Sequence, residues 1–444
     1  MCKAGKVVDV DENRSVWLAG KAPWEPLPPL SGDEVADVAV VGGGFTGVST
    51  AWHLARRFPE RRVVLLEART LATGASGRNG GLLLNWVNGV DARDPAEAKR
   101  IYDATQEGVA VVDEMIRENG LAVRMRRDGT FDAFTDARRA EAARPKVAEL
   151  QAAGVPIRWM DRDETTSLVA LEGVQGGIFD PNTGQIDGVD LVRGMRPVLQ
   201  KLGVGVYEGT PVTRIEEGEP VTLTTPGGVV RAKAVVLGTN AYTPGLGFFR
   251  GGVLALHSHV IATEPLPKER WDAIGWHASA GFVDDLDRIA YASMTPDGRL
   301  VFGGGSNAAY DYRFGGSPTW EGPADAAFAA VHARLCGYLP KARDVAITHR
   351  WTGAVAPTMS RVCTMGVTGR HRNVYYALGY SGHGITLANL AGKVLADVYA
   401  GTDERWRGLP FYQQRLLWIP PEPFRWIGYQ VFTRLTGKSP RRSL

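Results

Sequence analysis

The chain has 444 residues, is 44% hydrophobic and 22% charged, and carries a net charge of +3. That length accommodates two domains, each with its own core, and so mild a charge balance gives no electrostatic case for a nucleic-acid or membrane partner. The three cysteines, Cys2, Cys336 and Cys363, make no CxxC pair and no ligand spacing with histidines, so neither a disulfide framework nor a zinc or other metal site is indicated.

The first twenty residues lack the apolar centre of a signal peptide, and no run of about 18 apolar residues occurs anywhere, so a soluble, cytoplasmic chain is expected. Residues 1–34 read as an extended arm rather than a helix, pinned by Trp17, Trp24 and the prolines around Trp24. From Asp37 to Glu67 the chain parses as strand, glycine turn, helix, strand. Val38 to Val41 form the continuous apolar run of a parallel strand buried on both faces. Gly42, Gly44 and Gly47 supply G-x-G-x-x-G, whose second glycine lets backbone N–H groups approach a pyrophosphate. The helix to about Arg57 aims its positive end at that phosphate, and a second strand ends in Glu67, where a carboxylate can accept from ribose hydroxyls. An acid there opposes a 2′-phosphorylated cofactor, but the motif alone does not separate FAD from NAD.

A small-residue loop follows from Thr73 to Gly81, and then a helix from about Asp94 to Asn119, started by Asp94-Pro95 and stopped by Gly120. After Leu121 come short alternating strands and a helix from about Asp136 to Ala153. Gly188 to Leu202 is a further helix, and Ala234 to Leu237 is a second doubly buried strand, ending at Gly238. Strand-rich sequence resumes at Leu256–Ala262, Arg288–Ser293 and Leu300–Phe302. A helix covers about Ala324 to Cys336. The last unit is a strand, the turn Gly379–Gly384 and a helix to Ala400. Nucleotide-type strands thus recur in three separated blocks with β-rich insertions between them. Interleaved domains are expected: 1–115, 190–245 and 345–444 for the nucleotide, 116–189 and 246–344 for the substrate.

The stretches VVGGGFTG, LLEA, GASGRNGG, GGIFDPNTGQIDGVDLVRGM, VVLGTNAYTP, DGRLVFGG and GYSGHGITLANLAGKVLAD together resemble the D-amino-acid oxidase, glycine oxidase and sarcosine oxidase family of FAD enzymes. Within that family they look most like the gamma-glutamylputrescine oxidase type, over about residue 15 to the C-terminus. The resemblance implies an α/β fold: a Rossmann-like FAD domain of the glutathione-reductase type, interleaved with an antiparallel-sheet α+β substrate domain. It places Gly42, Gly44, Phe45, Thr46 and Gly47 at the FAD pyrophosphate, with Glu67 and Ala68 at the adenosine ribose. Ser76, Arg78, Asn79, Gly80 and Gly81 form the loop toward the isoalloxazine. Val212 brackets the adenine, Gly238 closes a strand, and Gly382, His383, Gly384 and Ile385 put a helix start at the flavin's pyrimidine end. Charge on a reduced flavin is stabilised by such N–H groups, which supports the last placement independently.

Removing hydride from a carbon next to nitrogen needs positioning more than a catalytic triad. His383, Trp351 and Tyr291 are the candidate catalytic residues, with Asn85 and Trp86 as further pocket candidates. Strict alternation puts Arg288 and Tyr291 on opposite strand faces, which argues against a paired role. Arg299 reads as solvated. The family's covalent cysteine aligns with Gly353, so noncovalent FAD is expected, with Cys363 ten residues away. Its oxygen-activating lysine has no counterpart around Leu300 to Gly305. The expected activity is oxidation of a C–N bond in an amine or amino acid, a polyamine derivative or secondary amine in the nearest pattern, to an imine, with O₂ as acceptor. The alternatives are a dehydrogenase passing electrons to a quinone or protein, and a non-catalytic nucleotide-binding protein. The basic aromatic tail from Arg405 is expected to pack its aromatic face on its own domain with its arginines solvated; membrane association is not expected.

Overall fold

A computed structural model describes residues 15–436 except 93, 287 and 321. Residues 1–14 of the N-terminal arm, Cys2 among them, and the last eight residues of the tail lie outside the described residues.

The first sheet has eight strands, and its centre is parallel. Glu34–Val41 lies between Val63–Leu66 and Gly228–Leu237, with Val38 opposite Val63 on one side and Ala234 on the other. Gly205–Tyr207 extends the sheet beyond Val63–Leu66, and Val374–Leu378 joins the far side of Gly228–Leu237. Runs of Val, Leu and Ala do this because each strand is covered on both faces, leaving no polar side for alternation. Val38, Ala39, Val40 and Val41 are all buried.

Three helices cover one face of this sheet: the fingerprint helix Phe45–Arg57, the helix Gly188–Lys201, and the closing helix Gly384–Ala400. Sequence signals for their ends are realised in atoms. Asp187 accepts from the N–H groups of Val189 and Asp190, and Gly401 leaves the closing helix in a left-handed conformation. The closing helix lies so near the fingerprint helix that a Cβ on Gly392 would stand 2.7 Å from Ser49 Cβ and 2.6 Å from its carbonyl carbon. Ser49 Oγ donates to the Asn389 carbonyl at 2.8 Å across the same contact.

The second sheet has nine strands. Leu256–Thr263, Leu300–Gly304, Ala290–Met294 and Gly281–Asp284 run antiparallel in that order; Gly281–Asp284 then pairs in parallel with Thr130–Phe134. That parallel pair departs from the all-antiparallel expectation, and it follows from the two strands arriving from widely separated blocks rather than from one hairpin. A larger correction concerns Ile347–Val355. The sequence reading assigned everything after 345 to the nucleotide side, yet this strand pairs with Leu256–Thr263 along its whole length, from Leu256 opposite Val355 to Thr263 opposite Ile347. The chain returns to the first sheet only after Val355.

The arm also departs from expectation. Val16–Ala19 forms one helical turn, because Trp17 and Leu18 both turn into the core. Trp17 Nε1 donates to the Asn79 carbonyl at 2.7 Å, and Trp24 Nε1 donates to Glu208 Oε1 at 2.9 Å. Both aromatic anchors hold as expected.

Substituting Gly392→Val overpacks the contact between the two helices and is expected to destabilise the fold by about 1–3 kcal/mol. Gly337→Ala, on a helix position with nothing within 4 Å of the added carbon, is expected to raise stability by about 0.5–1 kcal/mol. Thermal and urea unfolding of the two variants checks both signs.

Candidate functional site

The parallel strands end at one place. Val41, Leu66, Gly238 and Tyr380 all border a single cavity of about 1260 Å³, bounded on its other side by the second sheet. Ligands of open α/β sheets bind at the carboxyl ends of the strands, and this volume exceeds the roughly 300–1,000 Å³ of an ordinary small-molecule pocket. It has room for a dinucleotide and a substrate together.

At the pyrophosphate end, Gly42, Gly44, Phe45 and Thr46 line the cavity. The fingerprint helix begins with Gly44 at its N-cap, with no side-chain cap and no acid in its first turn, so its positive end is open to an anion. Ser76 Oγ accepts from the Phe45 N–H at 3.0 Å, drawing the small-residue loop against the helix start. A Cβ at Gly44 would stand 2.7 Å from that oxygen, so only glycine leaves the cradle open. Glu67 borders the cavity beside Ala68 and Val212. Its carboxylate accepts from the N–H groups of Gly43 at 2.7 Å and Arg69 at 2.9 Å, while burial pushes its pKa upward. Gly47 is set back from the cavity wall, with its added carbon directed at the Gly42 carbonyl; it permits close helix–strand packing and touches no ligand. Gly81 likewise lies behind the wall, packed on Trp17, whereas Gly80, Arg78 and Asn79 face the cavity.

Beside the fingerprint turn, Gly382, His383, Gly384 and Ile385 line the same cavity, and His383 is the N-cap of the closing helix without a side-chain cap bond. Thr46 Oγ1 and Tyr380 OH are 2.7 Å apart and buried, joining the two glycine turns directly. Asn240 Oδ1 accepts from the Gly379 N–H at 3.0 Å, and Asn88 Nδ2 donates to the Ser381 carbonyl at 2.8 Å. Three distant glycine-bearing segments therefore meet around one space.

Several sequence expectations need correcting here. Trp351 is fully buried and off the cavity; its Nε1 donates to the Arg78 carbonyl at 3.0 Å, so it braces the loop rather than meeting a substrate. Strand alternation turns its neighbour Thr352 to the lining instead, and Gly353, which has no side chain, borders the cavity with its backbone. Asn85 is buried against Gln106 and Thr105, and neither it nor Trp86 reaches the cavity. Arg288 precedes the strand Ala290–Met294, so alternation does not govern it, and both Arg288 and Tyr291 line the cavity. Arg299 is not solvated: it donates to the Thr263 carbonyl at 3.1 Å and to Thr348 Oγ1 at 3.0 Å. Cys363 is buried away from the cavity, and burial pushes its thiol up to about 12.

On the second-sheet side, Tyr291 OH lies 3.1 Å from Ser258 Oγ, and burial pushes the phenol up to about 12. Arg288 Nε donates to Asn307 Oδ1 at 2.6 Å, while its Nη2 is buried with no hydrogen-bond partner. Sequence reasoning missed Asn88, Asn240, Tyr380 and the tail helix Phe424–Thr436, which contributes Phe424, Arg425, Tyr429 and Phe432 to the lining. Asn240 and Tyr380 sat inside quoted motifs; the tail helix carried a basic aromatic pattern that did not show which way it faces.

Two open helix starts, a glycine cradle and a carboxylate that border one cavity fit a flavin dinucleotide, and define an FAD-dependent oxidoreductase. Comparison with known proteins agrees. Residues 37–398 match the model of the DAO family, "FAD dependent oxidoreductase", and the chain belongs to that family. It is 31% identical over 414 residues to gamma-glutamylputrescine oxidoreductase of Escherichia coli, covering 90% of this chain and 93% of that one. The crystal structure of glycine oxidase from Geobacillus kaustophilus superposes with a TM-score of 0.73 at 21% identity, covering 86% of this chain and all of that one. L-proline dehydrogenase from P. horikoshii superposes with a TM-score of 0.69 at 21% identity, over 86% of this chain and 96% of that one.

Gly44→Val fills the cradle and is expected to yield folded but colourless protein. Its circular dichroism matches the wild type, and added FAD raises the melting temperature of wild-type apoprotein but not of the variant.

Proposed function

We propose that the protein oxidises the C–N bond of an amine that also carries a carboxylate, giving an imine that water hydrolyses to a carbonyl compound and the free amine. The observation that carries this reading is the charge of the cavity wall. Arg69, Arg78, Arg288, Arg361 and Arg425 line it, and among the described residues Glu67 is the only carboxylate that does. A free diamine carries two positive charges and is disfavoured there; a carboxylate is favoured. Arg288 has the buried, unmatched donor that such a group would complete. Glycine and a γ-glutamyl amine, the compounds in the names of two relatives above, both carry a carboxylate.

Bound FAD supplies the acceptor for the hydride that leaves the carbon next to nitrogen. With FAD bound, the N–H groups of the closing helix and His383 would hold its pyrimidine end, and Glu67 would hold the ribose. Tyr291 stays a neutral phenol across the working range, because burial holds its proton, so it orients substrate by hydrogen bonding and is not a base. The amine nitrogen must arrive unprotonated, and no residue needs to abstract its proton on the enzyme. Gly353 at the family's covalent position and the inaccessibility of Cys363 support FAD held without a covalent bond. Dioxygen would serve as the final acceptor of the two electrons and, with two protons, leave as hydrogen peroxide.

Anaerobic mixing is expected to bleach the flavin with carboxylate-bearing amines and not with putrescine. Arg288→Met is expected to raise KM by about 10–100-fold with flavin content unchanged, the loss of a hydrogen bond to a charged group at about 1.5–3 kcal/mol. Equal turnover of putrescine with a silent Arg288→Met would sink the substrate assignment. Peroxide release in air distinguishes an oxidase from a dehydrogenase, for which none appears. Acid precipitation should release all flavin into the supernatant. The rate with neutral amine should rise with pH and keep its basic limb in Tyr291→Phe.

A further inference from the structure

The tail helix is turned inside out. Phe424, Ile427, Val431 and Leu435 recur at the spacing of one helical stripe, and that stripe faces solvent: Phe424 is 67% exposed, Val431 47% and Leu435 82%. A surface helix ordinarily buries such a stripe. This one is attached through its opposite side, where Tyr429 OH donates to the Tyr310 carbonyl at 3.0 Å and Asn307 Nδ2 donates to the Thr433 carbonyl at 3.3 Å. The expected packing of the tail's aromatic face on its own domain holds for Trp406 and Phe411, which are buried, and is corrected for the helix: polar and tyrosine contacts hold it, and its apolar stripe is left outside. Leu417 and Trp418, just before it, are also exposed.

The geometry points to an anionic phospholipid membrane surface as the partner of this face. Charge selects that occupant. From Phe411 to the C-terminus the sequence carries six basic residues, Arg415, Arg425, Arg434, Lys438, Arg441 and Arg442, and one acid, Glu422. The segment is thus +5 in a chain whose total is +3. Glu422 is engaged internally, accepting from Tyr312 OH at 2.6 Å. An apolar stripe flanked by arginines, with tryptophan nearby, is the composition of a helix lying in the headgroup region. A second copy docked face to face would instead oppose two basic segments. Thirteen residues are too few to cross a bilayer, which takes about 20, and among the described residues no helix is long and apolar enough to do so. The helix lies on the surface.

Position ties this face to the catalytic cavity. Phe424 and Phe432 belong both to the exposed apolar set and to the cavity lining, as do Tyr242 and Met359. Docking by the stripe sets the cavity rim against the lipid. The inference does not depend on the substrate reading above.

Full-length holoenzyme is sedimented with vesicles of phosphatidylcholine alone and with vesicles enriched in phosphatidylglycerol. The expected result is pelleting with the anionic vesicles only, weakened by salt. Ile427→Glu with Val431→Glu, at exposed positions off the cavity, should abolish pelleting while flavin content and anaerobic bleaching stay as in the wild type. Arg441→Ala with Arg442→Ala should weaken binding about fivefold per residue, from about 1 kcal/mol for each basic side chain near such a surface. Failure of the wild type to pellet overturns the proposal. So does a dimer in light scattering that Ile427→Glu with Val431→Glu dissociates, which would assign the face to self-association.

Discussion

Everything at the site depends on how closely two helices can approach. The fingerprint helix and the closing helix come from opposite ends of the chain, and only glycine at 392 lets the backbone of one rest on Ser49 of the other. That contact sets both helix starts at the same wall, and the buried Thr46–Tyr380 hydrogen bond locks them in register. Two positive helix ends then face one space from adjacent sides. A dinucleotide needs this arrangement, because its pyrophosphate and its flavin ring both carry or acquire negative charge. Separate the helices by the width of a methyl group and neither end of the cofactor is served.

The second sheet contributes by closing the space and by giving it chemical character. Tyr291 rests against Gly80 on the cavity side, and Trp351 holds the Arg78 carbonyl from behind, so the flavin loop is fixed from both sides. Arginines dominate the charged groups of the lining. The outcome is a cavity whose nucleotide half is built from backbone and whose substrate half is built from side chains.

What could be read in the sequence follows the same division. The strand–turn–helix from Val38 to Arg57 was legible because its signals are local: an apolar run, glycines at fixed offsets and an acid twenty residues on. The start at Asp94 was local too, and helix bounds agreed within a residue or two, although the caps that Asp136 and Asp187 form were not singled out. Side-chain direction was not legible where it depends on a distant partner. Trp351 faces inward because Ile347–Val355 pairs with a strand some ninety residues earlier, and nothing near Trp351 announces that register. Asn85 looked like a pocket residue from its place after the flavin loop, but Thr105 and Gln106 claim it. Arg288 was judged by alternation, a rule that applies only inside a strand. The tail helix carried an amphipathic pattern, and the pattern was real; the error lay in assuming that apolar means inward.

The first sheet takes its parallel strands from residues 34–66, 205–237 and 374–378. A ribosome releases these in order, so a nascent chain displays its glycine turn long before Tyr380 exists to brace it. Between the synthesis of Leu237 and that of Val374, the half-made sheet has Gly228–Leu237 lacking its last parallel neighbour, an edge that other chains could join. Cofactor capture is consequently a late event in the life of the polypeptide, and C-terminal truncations short of the closing helix would leave a protein that is made but never coloured.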